Sequence, residues 1–342
     1  MKKTRTTRSE HPVPTTDHDP RDAASPSRRP WTARRVVVSA VRLALLAAVL
    51  FYVVRALVAG FGAVDWSAFR PDAWWLTAGG AAMLASVAAV SLATAANIRA
   101  LTTTPTPWPV LVSAVAVARM GRYVPGKVLA VAGVPLLLKP FGCNVVGVTA
   151  AVLLNSALNV LTGLLVAAPL LVLSPPVRAY VPAGWLWTAI IMAAMLAMLH
   201  PAVNGPVFGF LFRKLRKPPP TGSMRLRDYV APSLWLLVQW ATLGAGMWCI
   251  GRGLDGTFSP SHGWVCVSTA ALAVTVGFLA LFAPGGLGVR EAIFLVVFTP
   301  LLDVERASLL AVGMRVMTLV TEMFAAVVGA VVLRRAKRNN RC

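Results

Sequence analysis

The sequence predicts an all-α, polytopic integral membrane protein with about eight membrane-crossing helices plus re-entrant or broken helices, arranged as two pseudo-repeated halves. Three observations lead there. Over 342 residues the chain is 57% hydrophobic and only 13% charged, with a mean hydropathy of +0.70, far more apolar than a soluble domain of that length. Apolar runs of about 20 residues, enough to cross roughly 30 Å of hydrocarbon, recur along it. Two proline-glycine breaks, Gly121-Arg122-Tyr123-Val124-Pro125-Gly126-Lys127-Val128 and Ala283-Pro284-Gly285-Gly286-Leu287-Gly288-Val289-Arg290-Glu291, interrupt otherwise apolar stretches and place a cation just after their glycines.

Taken in order, residues 1–35 are polar, rich in Arg, Pro, Ser and Thr and without apolar period, which reads as a disordered basic cytoplasmic tail. The first span, residues 36–58, is read as an uncleaved anchor, with Arg42 and Arg55 toward its ends where they can snorkel. A second span covers residues 74–98. The Thr104-Pro105-Thr106-Pro107-Trp108-Pro109 turn cannot be helix interior, so a new element starts there. Residues 110–140 are apolar but interrupted by Arg119, Arg122, Pro125, Gly126, Lys127 and Pro135, and each side of the break is too short to span, so a re-entrant helical hairpin is expected. Spans three and four are residues 144–173 and 185–199. The basic loop 201–228 joins the halves 36–200 and 229–333. Spans five and six are residues 229–250 and 264–282. After the second break come a short apolar helix, residues 289–302, a long one, residues 306–333, and a basic cytoplasmic tail, 334–342.

The formal net charge of +21 would suggest nucleic acid in a soluble protein. Here the cations concentrate in the tails and one loop beside apolar spans, which is the signature of topology and anionic lipid, and no nucleic-acid partner is expected. Both termini and loop 201–228 are placed in the cytoplasm, and the protein in the cytoplasmic (inner) membrane. Four cysteines, Cys143, Cys249, Cys266 and Cys342, show no C-x-x-C spacing, so no metal or redox motif is indicated, and whether Cys249 and Cys266 pair stays open.

The breaks are the candidate functional features. In hydrocarbon an interrupted helix leaves N–H and C=O groups unpaired, so breaks persist where protein or a wet cavity satisfies them, and matched interruptions in two halves point to a transporter's binding site. At the second, Pro284, Gly285, Gly286 and Gly288 lead into a helix whose first turn offers free N–H groups and a positive dipole end. Arg290 adds a guanidinium there, and Glu291 can balance or gate it. At the first, Pro125 suits the first position of a new helix, which sets the amides of Gly126 and Lys127 beside Arg119 and Arg122. The competing readings are a capped helix whose arginine reaches interfacial water, and a basic loop against lipid headgroups. Arg315 and Glu322 lie inside the last apolar run, where an ionised side chain costs about 2.5 to 3.5 kcal/mol unless paired or wetted. They face one way but stand roughly 10 Å apart, so each needs another partner or a shared aqueous cavity. Asn155 and Asn159, four apart in span three, either bind helices together or line that cavity. No catalytic constellation, metal motif or cofactor fingerprint is present, and no cofactor is expected.

These motifs resemble those of the flippase-like transmembrane family, which includes the membrane domain of bacterial lysylphosphatidylglycerol synthases and stand-alone relatives. Gly121-Arg122-Tyr123-Val124-Pro125-Gly126-Lys127 is similar to its G-R-Y-hydrophobic-P-G-K segment, Pro284-Gly285-Gly286-Leu287-Gly288-Val289-Arg290-Glu291 to its P-G-G-x-G-x-R-E segment, and Arg315 to an arginine of its last helix. In span three the family often carries an acidic-basic pair where this chain has Asn155 and Ser156. The resemblance implies lipid transport across residues 36–333. The chain ends soon after its last span, without the soluble aminoacyl-transferase domain, so lysyl transfer is not expected of it. The expectation is a flippase that recognises the phosphate of a phospholipid or polyprenyl-phosphate-linked glycan carrier through Arg119, Arg122, Lys127, Arg290, Glu291 and Arg315. The alternatives are a membrane-embedded polyprenyl-phosphate-dependent transferase and a non-transporting scaffold for cell-envelope enzymes. A homo-oligomer or a cell-envelope enzyme partner fits any of the three.

Overall fold

The computed structural model describes residues 71–102, 104–123, 128–180, 183–199, 226–256, 258–280 and 283–339, all within one unit, Arg42–Cys342. The first span and the N-terminal tail, including Arg42 and Arg55, lie outside the described residues, as do most of loop 201–228 and Val124 to Lys127. Among the described residues every regular element is helical: α1 (Ala73–Leu101), α2 (Trp108–Ala118), α3 (Val128–Leu138), α4 (Val145–Leu173), α5 (Pro175–Tyr180), α6 (Gly184–Leu199), α7 (Leu226–Leu254), α8 (Gly263–Leu279), α9 (Val289–Leu302) and α10 (Val304–Asn339).

Five helices, α1, α4, α7, α8 and α10, are long and apolar enough to cross a membrane. At 1.5 Å per residue the 29 residues of α1 or α4 run roughly 43 Å, beyond the ~30 Å hydrocarbon core. Their ends follow local chemistry. The Asp72 carboxylate accepts from Trp74 N–H at 2.9 Å to start α1, and Asn144 does the same for Val146 N–H at 2.9 Å in α4. Asp303, at φ 92°, separates α9 from α10 and accepts from Arg306 N–H at 2.9 Å. The last helix runs past residue 333 to Asn339, because Arg334, Arg335, Lys337 and Arg338 are good helix formers whose charge suits a C-terminus. The α5 turn in the connection after span three was not legible as a helix.

The segment around the first break is a helical hairpin. Two helices of 11 residues each, ~16 Å long, flank a 3₁₀ turn, Arg119–Tyr123. The ends of the hairpin return to one another: Thr106 Oγ1 lies 3.1 Å from Cys143 Sγ and Thr104 Oγ1 donates to Gly142 O at 3.3 Å. The two ends of the segment therefore lie beside each other.

The centre of the molecule is the α1–α7 pair. A Cβ on Gly79 would lie 2.8 Å from Ile250 Cγ1, and one on Gly246 would lie 2.7 Å from Met83 Cγ, so these glycines let the two backbones approach as small residues do between membrane helices. Around this pair one apolar core joins α1, α2 and α4 through Ile98, Leu111, Val148 and Leu158. A second joins α8, α9 and α10 through Cys266, Phe298 and Ala311. Cys143, Cys249 and Cys266 are free thiols, so Cys249 and Cys266 do not pair.

Candidate functional site

The turn at the first break and the turn at the second lie against each other. Gly285 adopts φ 60°, Gly286 φ 74° and Gly288 φ 81°, left-handed values that a side chain resists. Space is tight as well: a Cβ on Gly285 would stand 3.0 Å from the ring of Tyr123, and one on Gly286 would stand 2.8 Å from Arg290 Nε, so a neighbour would have to shift. The ring of Tyr123 thus packs on the second break's backbone.

The last helix supplies a staple for each turn. Glu322, 2% exposed, receives Arg119 Nη2 at 3.0 Å, pairs with Arg122 Nη2, and accepts from Tyr123 O–H at 2.8 Å. Tyr123 O in turn accepts from Arg122 Nη2 at 3.2 Å. Two turns earlier on α10, Arg315 Nη1 lies 3.8 Å from Glu291 Oε1 and donates to Gly285 O at 3.4 Å, with its guanidinium carbon 5.7 Å from the centre of the Tyr123 ring. Arg315 and Glu322 therefore find different partners, as their spacing along one helix face demands.

Glu291 does not pair with Arg290. Its Oε2 accepts from Gly288 N–H at 2.9 Å, satisfying a free amide of the α9 N-terminus, while Oε1 faces Arg315. Arg290 is left 9% exposed with its Nε buried and unpartnered, as are Nε of Arg119 and Arg122. Four arginines, Arg119, Arg122, Arg290 and Arg315, thus surround two carboxylates, leaving two positive charges uncompensated among the described residues.

Arg119, Arg122 and Arg290 line two cavities. The smaller, about 50 Å³, holds Glu291, Arg315 and Glu322 in its wall. The larger, about 610 Å³, is walled mostly by apolar residues of α1 to α4 and α8, among them Val90, Val115, Val134, Val152 and Phe278. A cationic floor under an apolar shaft suits an amphiphile with an anionic end.

Asn155 and Asn159 serve both of the roles their spacing allows. Asn97 Nδ2 donates to Asn155 Oδ1 at 3.1 Å, and Asn159 Nδ2 donates to Gln239 Oε1 at 2.9 Å, joining α4 to α1 and α7. Both asparagines also line the large cavity. Pro125, Gly126 and Lys127 lie outside the described residues, and Pro284 falls in the short 3₁₀ turn Pro284–Gly286. Three contributors were missed as site residues: Tyr123, Gln239 and Asn97. Gln239 and Asn97 were visible as isolated amides in apolar runs, and Tyr123 as the aromatic between the cations of the first break. Among the described residues no cluster of metal-ligating side chains occurs. No protein-family model matches the chain, and no curated protein matches it.

Proposed function

We propose that this chain is a lipid transporter that holds the phosphate headgroup of a phospholipid or lipid-linked carrier between its two helix breaks and moves it across the cytoplasmic membrane. One observation carries the reading: a buried guanidinium, Arg290, makes no ion pair among the described residues and lines a cavity with apolar walls. An unpaired buried cation is costly and, in a membrane segment, marks a ligand or ion path. Arg290 lies in the first turn of α9, at the positive end of the helix dipole.

The two break motifs and Arg315, with their resemblance to the flippase-like transmembrane family, support the same reading. In it the chain makes about eight crossings with both termini in the cytoplasm, and the parts bearing the two breaks rock against each other to expose the headgroup to either leaflet. Lys127 joins the phosphate from the first break. Reconstituted into liposomes, the wild-type protein is expected to move a headgroup-labelled anionic lipid between leaflets, and Arg290→Ala and Lys127→Ala are each expected to slow it more than about tenfold. Unchanged translocation in both variants would overturn the proposal.

A further inference from the structure

We propose that the headgroup taken by this site is a phosphomonoester, a terminal phosphate on a hydrophobic chain, in preference to the singly charged phosphodiester of ordinary phospholipids. This rests on the reading of the arginine cluster as an anion site and adds the charge of the anion.

The charge count leads there. Arg119 and Arg122 share Glu322, Arg315 faces Glu291, and Arg290 makes no ion pair, so among the described residues the cluster carries two positive charges in excess. In the whole sequence Glu291 and Glu322 are the only acidic residues inside any apolar run, residues 36–58 included. In low-dielectric surroundings an excess of this kind is stabilised best by a ligand of matching charge. Near neutral pH a phosphomonoester carries about −1.5 to −2 and presents three acceptor oxygens. A diester carries a single charge and has two free oxygens.

Donor supply agrees with the count. Arg290 makes no ion pair among the described residues, its buried Nε lies against Gly277 and Gly286, and Arg119 and Arg122 each retain N–H groups that Glu322 does not use. Planar forks of this kind match phosphate oxygens in pairs. The apolar walls, Val90, Val115, Val134, Val152 and Phe278, then favour a monoester bearing a hydrophobic chain over a water-soluble one.

The test titrates purified wild-type protein in micelles with phosphatidic acid, phosphatidylglycerol and phosphatidylcholine of identical acyl chains, near pH 8 where the monoester is doubly charged, with bound lipid read by native mass spectrometry. Phosphatidic acid is expected to bind at least about tenfold more tightly than phosphatidylglycerol, and both more tightly than phosphatidylcholine. Equal binding of the two anionic lipids, above phosphatidylcholine, overturns the monoester preference and leaves the anion site standing. Equal binding of all three overturns the anion site itself. Arg290→Gln, which removes one surplus charge, is expected to reduce the preference to about threefold or less, and a preference unaltered in a folded variant contradicts the charge count. Glycerol 3-phosphate at the lipid's concentration is expected to displace nothing, and displacement would assign the site to a water-soluble phosphate.

Discussion

At the first break, polarity comes from side chains: Arg119, Arg122 and Tyr123 converge on the single carboxylate of Glu322. At the second it comes largely from backbone, with three glycines in left-handed conformations, a free amide capped by Glu291 and a carbonyl held by Arg315. The first turn is a 3₁₀ helix that depends on its ion pairs. The second is set by glycine backbone conformation, and its own cation, Arg290, makes no ion pair among the described residues. At the first break two arginines share one carboxylate, and at the second the arginine has no carboxylate of its own among the described residues. The helix α10 binds them into one unit by holding a carboxylate for the first and a guanidinium for the second.

This contrast breaks first at Glu322. Glu322→Ala strands two largely buried arginines and is expected to cost about 3 to 5 kcal/mol, measured by equilibrium unfolding in mixed micelles. A cost under about 1 kcal/mol would mean that the first turn does not depend on its carboxylate. Next come the glycines. Gly285→Ala and Gly286→Ala combine left-handed strain with contacts to Tyr123 and Arg290, and each is expected to cost about 2 kcal/mol or more. Gly121→Ala, in a turn whose described backbone is right-handed, is expected to stay within about 1 kcal/mol. Similar losses at Gly121 and Gly285 would erase the distinction between the two turns.

Smaller effects sharpen it. Glu291→Gln keeps an acceptor for Gly288 N–H but loses the charge facing Arg315, for an expected cost of about 1 kcal/mol by the same unfolding measurement. A loss as large as that of Glu322→Ala would show that the second turn is also held by charge. Asn159→Ala removes one amide bond between α4 and α7, and about 0.6 kcal/mol is expected from double-mutant cycles with Gln239→Ala.

The helical class and the positions of both breaks were legible because hydrophobic run length and proline-glycine chemistry are local signals. The start of α9 at Val289, with Arg290 and Glu291 in its first turn, followed from the Pro284-Gly285-Gly286-Leu287-Gly288 run before it. The pairing was not legible. Glu291 and Arg290 are neighbours in sequence, yet the carboxylate turns to Gly288 N–H and Arg315, because an unsatisfied helix N-terminus and a facing helix both compete for it. Similarly, the spacing of Arg315 and Glu322 excluded a direct bond but could not say that one partner lay 203 residues away, at Arg119. Asn155 and Asn159 were left between two roles that the fold combines, because helix contacts and cavity walls share one face of α4.

Native mass spectrometry of lipid retained by the purified protein tests most directly whether the two breaks form one anion site. Wild-type protein is predicted to carry a phosphate-bearing lipid that survives detergent exchange, and a folded Arg290→Ala variant is predicted to lose it. Equal retention by both, or none by either, would contradict a headgroup held between the breaks.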